Sequence, residues 1–140
     1  MSLSLVTAYL IDLSFENPAA RRPTPPQGPT SIEKTVSVNA ASRPDGHFNV
    51  DTCVRATVTA GSEAAFLIEL TYRAVVSVAG ATGDELERLL LVEGGQASFP
   101  PMAELVKTMV AVGGYDQPFQ LDPIDFDAIF RSRHSADQAA

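Results

Sequence analysis

Cysteine is nearly absent: Cys53 is the single one in 140 residues. That excludes an intrachain disulfide and any cysteine-based zinc site, and it fits a reducing compartment. With no neighbouring histidine or basic cluster to activate it, Cys53 reads as a buried or interface thiol. Histidine is almost as scarce. His47 and His134 lie far apart, His47 beside a turn and His134 near the C-terminus, and each reads as a solvated surface group and not as a metal ligand or base. Basic residues are few, with 10 Lys and Arg against 17 Asp and Glu and a net charge of −7. Nucleic-acid binding needs a Lys/Arg stripe that displaces counterions, so this balance argues against it. An acidic surface suits a basic or unfolded polypeptide partner, and it is equally the ordinary state of a soluble bacterial protein. No run of about 18 apolar residues is present, and no basic segment leads into an apolar one at the start, so neither a membrane span nor a signal peptide is visible. A cytoplasmic location is the expectation. Phosphate-binding Gly-rich loops, dinucleotide fingerprints and His-Glu-x-x-His are all missing. The expectation is therefore a protein that is not an enzyme and holds no cofactor or metal.

What is present is alternation. From Asn49 to Gly80 the chain reads as two long strands folded back on each other. Val50, Val54, Ala56, Val58 and Ala60 fall on one face of the first arm, and Asp51, Cys53, Arg55, Thr57 and Thr59 on the other. Gly61-Ser62-Glu63 supplies the turn, and Phe66, Ile68, Leu70, Tyr72, Ala74, Val76 and Val78 form an apolar row in the second arm. The opposite row starts with Leu67, Glu69, Thr71 and Arg73 and continues with Val75, Ser77 and Ala79, so it is only half polar. A half-apolar outward row predicts that another subunit or a ligand segment covers part of it.

Residues 3–16 alternate as well, with Leu3, Leu5, Tyr9, Ile11, Leu13 and Phe15 on one side and Ser4, Ala8, Asp12, Ser14 and Glu16 on the other. Pro18, Pro23, Pro25, Pro26 and Pro29 then exclude helix and inner strand, so 17–31 reads as a long crossover loop. Ile32, Lys34, Val36, Val38 and Ala40 mark a shorter strand, and Ser42 to Gly46 a turn. After Gly80 the period becomes helical. Asp84 and Glu87 open a short helix stopped by Gly94-Gly95; a second starts at Phe99-Pro100-Pro101 and ends at Gly113-Gly114, with Met102, Leu105, Val106, Met109 and Val110 as its apolar stripe. Asp122-Pro123 is the expected start of a third, carrying Ile124, Phe126, Ile129 and Phe130, and residues 131–140 read as a short flexible tail. Strands in a block followed by helices in a block predict a single α+β domain over 1–140: a four-stranded antiparallel sheet with helices packed on it.

Three motifs stand in register along this chain. Tyr9, Asp12, Ser14, Phe15, Glu16 and Pro18 form the first; Phe66, Leu67 and Glu69 the second; Leu121, Pro123, Ile124, Asp125, Phe126, Asp127 and Ala128 the third. Together they resemble the SecB protein-export chaperone family over about residues 9–130. The resemblance implies a homotetramer, built as a dimer of dimers, that holds unfolded preproteins in grooves without ATP and delivers them to the SecA translocation ATPase. It implies that Asp12, Glu16, Leu67 and Glu69 contact SecA. It also implies a client groove beside the crossover loop and last helix, with Phe15, Phe119, Leu121, Phe126 and Phe130 as its candidate lining.

By residue type alone the same positions read differently: the three carboxylates as solvated strand residues, and Phe119, Leu121, Phe126 and Phe130 as core. Two departures from the family pattern bear on function. Pro101 and Ala103 stand where the family has Tyr and Arg, and the family's longer acidic tail, which helps bind SecA, is expected here to be reduced to nine residues after Arg131. These open the alternative of a SecB-like chaperone dedicated to another partner, such as a toxin–antitoxin system. A non-catalytic small-ligand binding module on the same fold is the alternative from another class.

Overall fold

The structure, a computed structural model, describes residues 1–24, 28–115 and 119–139. Four strands come first: β1 (Ser2–Glu16), β2 (Thr30–Ser42), β3 (Phe48–Ala60) and β4 (Glu63–Ala79). They form one antiparallel sheet in the order β1-β4-β3-β2, followed by helices, which is the α+β class expected. Because β1 and β2 lie at opposite edges, the link between them has to pass two strands. It does so at the end of the sheet where β3 turns into β4, since Glu16 pairs with Leu67 and Thr30 with Ala60. Pro18–Arg21 forms a 3-10 turn there, Arg22 pairs with Glu63, and the Gly61 N–H donates to the Pro29 carbonyl at 2.9 Å. β2 begins at Thr30 and so takes up the last two residues of the stretch expected to be loop, while Pro25 and Pro26 fall outside the described residues.

β1 corrects the simple alternation. Its pairing with β4 skips Val6 and again Ile11. Each skipped residue is an unpaired insertion that reverses the facing of everything after it. Leu3, Leu5, Ala8, Leu10, Leu13 and Phe15 therefore share a row with Val78, Val76, Ala74, Tyr72, Leu70 and Ile68, and Tyr9 moves to the outer row opposite Arg73.

Helices cover the inner face. Gly83 to Val112 is one helical run made of α1 (Gly83–Arg88), a π-helical turn (Leu89–Gly94) and α2 (Gly95–Val112). The stop expected at Gly94-Gly95 does not occur. Both glycines have ordinary helical φ, −63° and −62°, so backbone freedom is not why they are there. Close approach is. A Cβ on Gly94 would lie 2.8 Å from Val50 Cγ2, and one on Gly95 would overlap the Phe126 ring. Pro100 and Pro101, read as the start of a second helix, sit inside α2 on its exposed side. Leu89, Leu90, Leu91 and Val92 are all buried, because the π turn runs between the sheet and α3 (Phe126–Ala139).

α3 starts three residues after the expected Asp122-Pro123 cap region, at Phe126, with Asp125 Oδ1 accepting the Ala128 N–H at 2.9 Å as its N-terminal cap. It continues through Ala139, where a flexible tail was the expectation; the side chain of His134 lies outside the described residues.

Two apolar clusters fill the space between the layers. One joins Val54, Ile68 and Leu70 to Met102, Val106 and Val110, and the other joins Val50, Ala74 and Val76 to Leu90, Leu91 and Phe126. A polar pair sits among them: Thr52 and Ser98, both fully buried, share a hydroxyl–hydroxyl bond of 3.1 Å, and Ser98 Oγ also donates to the Gly95 carbonyl at 2.8 Å. This pair satisfies its own polar atoms and fixes where α2 meets β3.

If Gly95 were an interior helix residue with nothing packed against it, Gly95→Ala would stabilise the protein by about 0.5–1 kcal/mol. Overlap with Phe126 predicts the opposite sign, a loss of about 1–3 kcal/mol in urea unfolding.

Candidate functional site

The inner face of the sheet is consumed by the core except at its β1 margin, where Leu5 and Leu10 stay exposed, so the residues free to act lie on the outer face, on the two edges and around the crossover. On the outer face the register sets Glu16 opposite Leu67, Ser14 opposite Glu69 and Asp12 opposite Thr71. Glu69 is also opposite Arg55 on β3, with Arg55 Nε 3.8 Å from Glu69 Oε2 and both side chains more than half exposed. Ser14, Glu16, Arg55, Leu67 and Glu69 enclose a shallow hollow of about 190 Å³. Asp12, Glu16, Leu67 and Glu69, far apart in sequence, thus stand on one face of two neighbouring strands, forming an acidic margin around a half-buried leucine. Arg55 is the member that sequence reasoning did not include; its place in the outward row of β3 was the available signal.

Beside this patch Arg73 makes a bidentate pair with Asp51, Nε to Oδ1 at 2.7 Å and Nη2 to Oδ2 at 2.9 Å. The Asp51 carboxylate, together with the Tyr9 hydroxyl, holds the Arg73 guanidinium well above its usual range. The Arg73–Asp51 pair ties β4 to β3 on the outer face next to the acidic patch, with Tyr9 of β1 standing opposite Arg73.

β1 forms one edge of the sheet and is apolar in a way a water-facing edge is not. Leu5, Val6, Tyr9, Leu10 and Ile11 are 40–51% exposed. Among the described residues no strand pairs with its outer side. Edges normally carry charge or proline to prevent association, and the centre of this strand carries neither.

At the crossover, Phe15, Glu16, Asn17, Pro18, Ala20 and Arg21 surround a hollow of about 570 Å³. Phe15 stacks on Phe66 at 5.9 Å, and Asn17 Nδ2 donates to the Gly113 carbonyl at 2.5 Å, tying the crossover to the end of α2. Of the five expected groove residues, only Phe15 lines this hollow. Phe119, Leu121 and Phe126 are 7, 3 and 2% exposed, so among the described residues they pack as core. Phe119 packs edge-on to Phe66 at 5.3 Å, and Phe126 fills the space over Gly95. Phe130 is half-buried against the second cluster. The reading of these aromatics by residue type is the one the structure follows for those three.

No reacting constellation is assembled among the described residues. Among the described residues there is no group of three or more His, Cys, Asp or Glu placed to hold a metal. Cys53 is half-buried on the outer face. His47 belongs to the β2–β3 turn, where its backbone N–H donates to Asp45 Oδ1 at 3.0 Å. That bond, with help from Arg43, holds the exposed Asp45 carboxyl below its usual range and accounts for the turn.

Comparison with known proteins gives a consistent answer. Residues 1–137 match the family model described as preprotein translocase subunit SecB. A protein-export protein SecB from Caulobacter sp. (strain K31) is 33% identical over 132 residues, which cover 94% of this chain and 80% of that protein. Its counterpart from a Bradyrhizobium species (strain BTAi1) is 33% identical over 139 residues, covering 99% and 85%. Among solved structures, the SecB-like chaperone Rv1957 of Mycobacterium tuberculosis, in complex with a ChAD peptide from the Rv1956 HigA1 antitoxin, aligns with a TM-score of 0.70 at 11% identity, over 87% of this chain and 90% of that one. At that identity the likeness is one of fold.

Proposed function

The chain belongs to the SecB family of chaperones, and from that premise we propose that it is an ATP-independent holdase that binds unfolded preproteins and passes them to SecA. The observation that carries this reading is the juxtaposition of Asp12, Glu16, Leu67 and Glu69 on the outer face, the four positions the family resemblance assigns to SecA contact. Three carboxylates around a leucine suit a basic partner that buries one apolar side chain, with charge setting rate and orientation and the leucine adding contact area. Arg55 tempers this charge and gives the patch a defined geometry.

Clients are held by burial of apolar side chains at the crossover hollow beside Phe15 and by backbone pairing along a free strand edge. Nothing in this mode requires a nucleotide. Export is favoured over service to one dedicated partner because the relatives that share a third of their residues with this chain are named for protein export, whereas the antitoxin-bound neighbour shares its fold at 11% identity.

We further propose a homotetramer, a dimer of dimers, in which β1 is one self-pairing seam. Its two bulges make that pairing symmetric: about a two-fold axis between Ala8 and Tyr9, each copy's Val6 comes opposite the other copy's Ile11. The unpaired insertions then face each other, and the exposed apolar side chains of both copies cover one another.

Stoichiometric amounts of the protein, without ATP, are expected to suppress light scattering by a slowly refolding, aggregation-prone client; undiminished scattering contradicts the holdase reading. The triple variant Asp12→Asn, Glu16→Gln, Glu69→Gln is expected to bind SecA about tenfold or more weakly, with its oligomeric mass unchanged. Unaltered SecA affinity places the contact elsewhere.

A further inference from the structure

The edge opposite β1 is not fully open. Arg133, two turns into α3, donates from Nη1 to the Val38 carbonyl at 3.0 Å. At the two ends of the β2–β3 ladder the Arg43 N–H donates to the His47 carbonyl and the Gly61 N–H to the Pro29 carbonyl, so by antiparallel alternation the odd-numbered residues of β2 bond to β3 and the backbone groups of Val36, Val38 and Ala40 point away from it. These are the groups that an added strand would engage. Arg133 has already taken one of them.

The same side chain forms part of the wall of a hollow of about 280 Å³ next to that edge, whose floor is Ala40, Phe48, Leu86, Leu90 and Leu91, with Glu87 on the rim. α3 is fixed at its beginning, where Phe126 is buried over Gly95 and Asp127 Oδ1 meets Arg88 Nη2 at 3.0 Å. Farther along, Arg131 and Ser132 are exposed. Among the described side chains of α3, Arg133 makes the polar tie to the sheet.

We propose that Arg133 is a latch on the Val38 end of the β2 edge: it occupies a backbone carbonyl and closes one side of the adjoining hollow, so an extended client adds there only when Arg133 lets go. This rests on the holdase reading above. The occupant is an extended polypeptide, because the vacant groups are main-chain groups at strand spacing and the hollow beside them mixes apolar side chains (Phe48, Leu86, Leu90, Leu91) with polar ones (Ser42, Glu87). Glu87, no longer faced across the hollow by Arg133 once the latch opens, selects a segment with a basic residue beside its apolar one. A closed latch lowers apparent client affinity by the fraction of molecules that are open, which is the price of keeping the edge protected from unwanted pairing.

The test is fluorescence anisotropy with a labelled, unstructured peptide alternating valine and lysine, bound to wild-type protein, Arg133→Ala and Arg133→Lys. Arg133→Ala is expected to bind about three- to tenfold more tightly and to associate faster, the effect of removing one competing charged hydrogen bond, while Arg133→Lys stays near wild type. In the wild type, saturating peptide is expected to speed hydrogen exchange in the second half of α3. A residue that merely braces the fold would give weaker binding in Arg133→Ala and no exchange response. Equal or weaker peptide binding by Arg133→Ala, or α3 exchange that peptide leaves unchanged, overturns the latch while leaving the holdase reading intact. Failure of all three proteins to bind peptide overturns both.

Discussion

A strand edge with unsatisfied backbone and exposed apolar side chains is the constraint on which this molecule turns. The inner face of the sheet is closed by its own helices, so β1 has no internal partner left to take. Leu5, Val6, Tyr9, Leu10 and Ile11 remain roughly half exposed, and covering each would add on the order of 1 kcal/mol. Several such contributions per copy, together with a ladder of main-chain hydrogen bonds, make self-association the natural completion of the fold. The outer face, by contrast, is tied across β4 and β3 by Arg73 and Asp51 and carries its charges beside that edge, so the patch proposed for a second protein lies next to the edge proposed for a second copy.

That arrangement requires the helical layer to sit close and in one position. Gly94 and Gly95 remove the side chains that would hold the helix away from Val50 and Phe126, and the Thr52–Ser98 bond fixes its position along β3. Phe126 thereby anchors α3 at its start, leaving its later turns to be held by Phe130 packing and by Arg133 on the opposite edge. One edge is left bare, and the other carries the Arg133 contact to the Val38 carbonyl.

Much of this is legible in the residues themselves. Period-two alternation places β3 and β4 with their correct faces, and proline density marks the crossover, because both signals depend on local geometry. The acidic row on β1 and β4 is legible only once the strands are taken as neighbours, and the resemblance supplied that. Three features were not legible. The bulges at Val6 and Ile11 carry no glycine or other marker, since pairing with β4 alone decides which residue is skipped. Gly94-Gly95 looks like a helix stop because the local rule is silent about what packs above it, and tertiary contact overrides it here. Aromatics near the C-terminus are equally compatible with groove or core, and only the path of the chain over β4 and α2 decides that Phe119, Leu121 and Phe126 are buried.

Molar mass in solution, followed by light scattering over a dilution series, bears most directly on the uncovered edge. At least two chains of 14.9 kDa is the outcome a self-pairing β1 requires, and four giving way to two before one on dilution is what the proposed dimer of dimers predicts. A stable, soluble single chain at every concentration would mean that the bare edge needs no partner, and the central claim would be wrong.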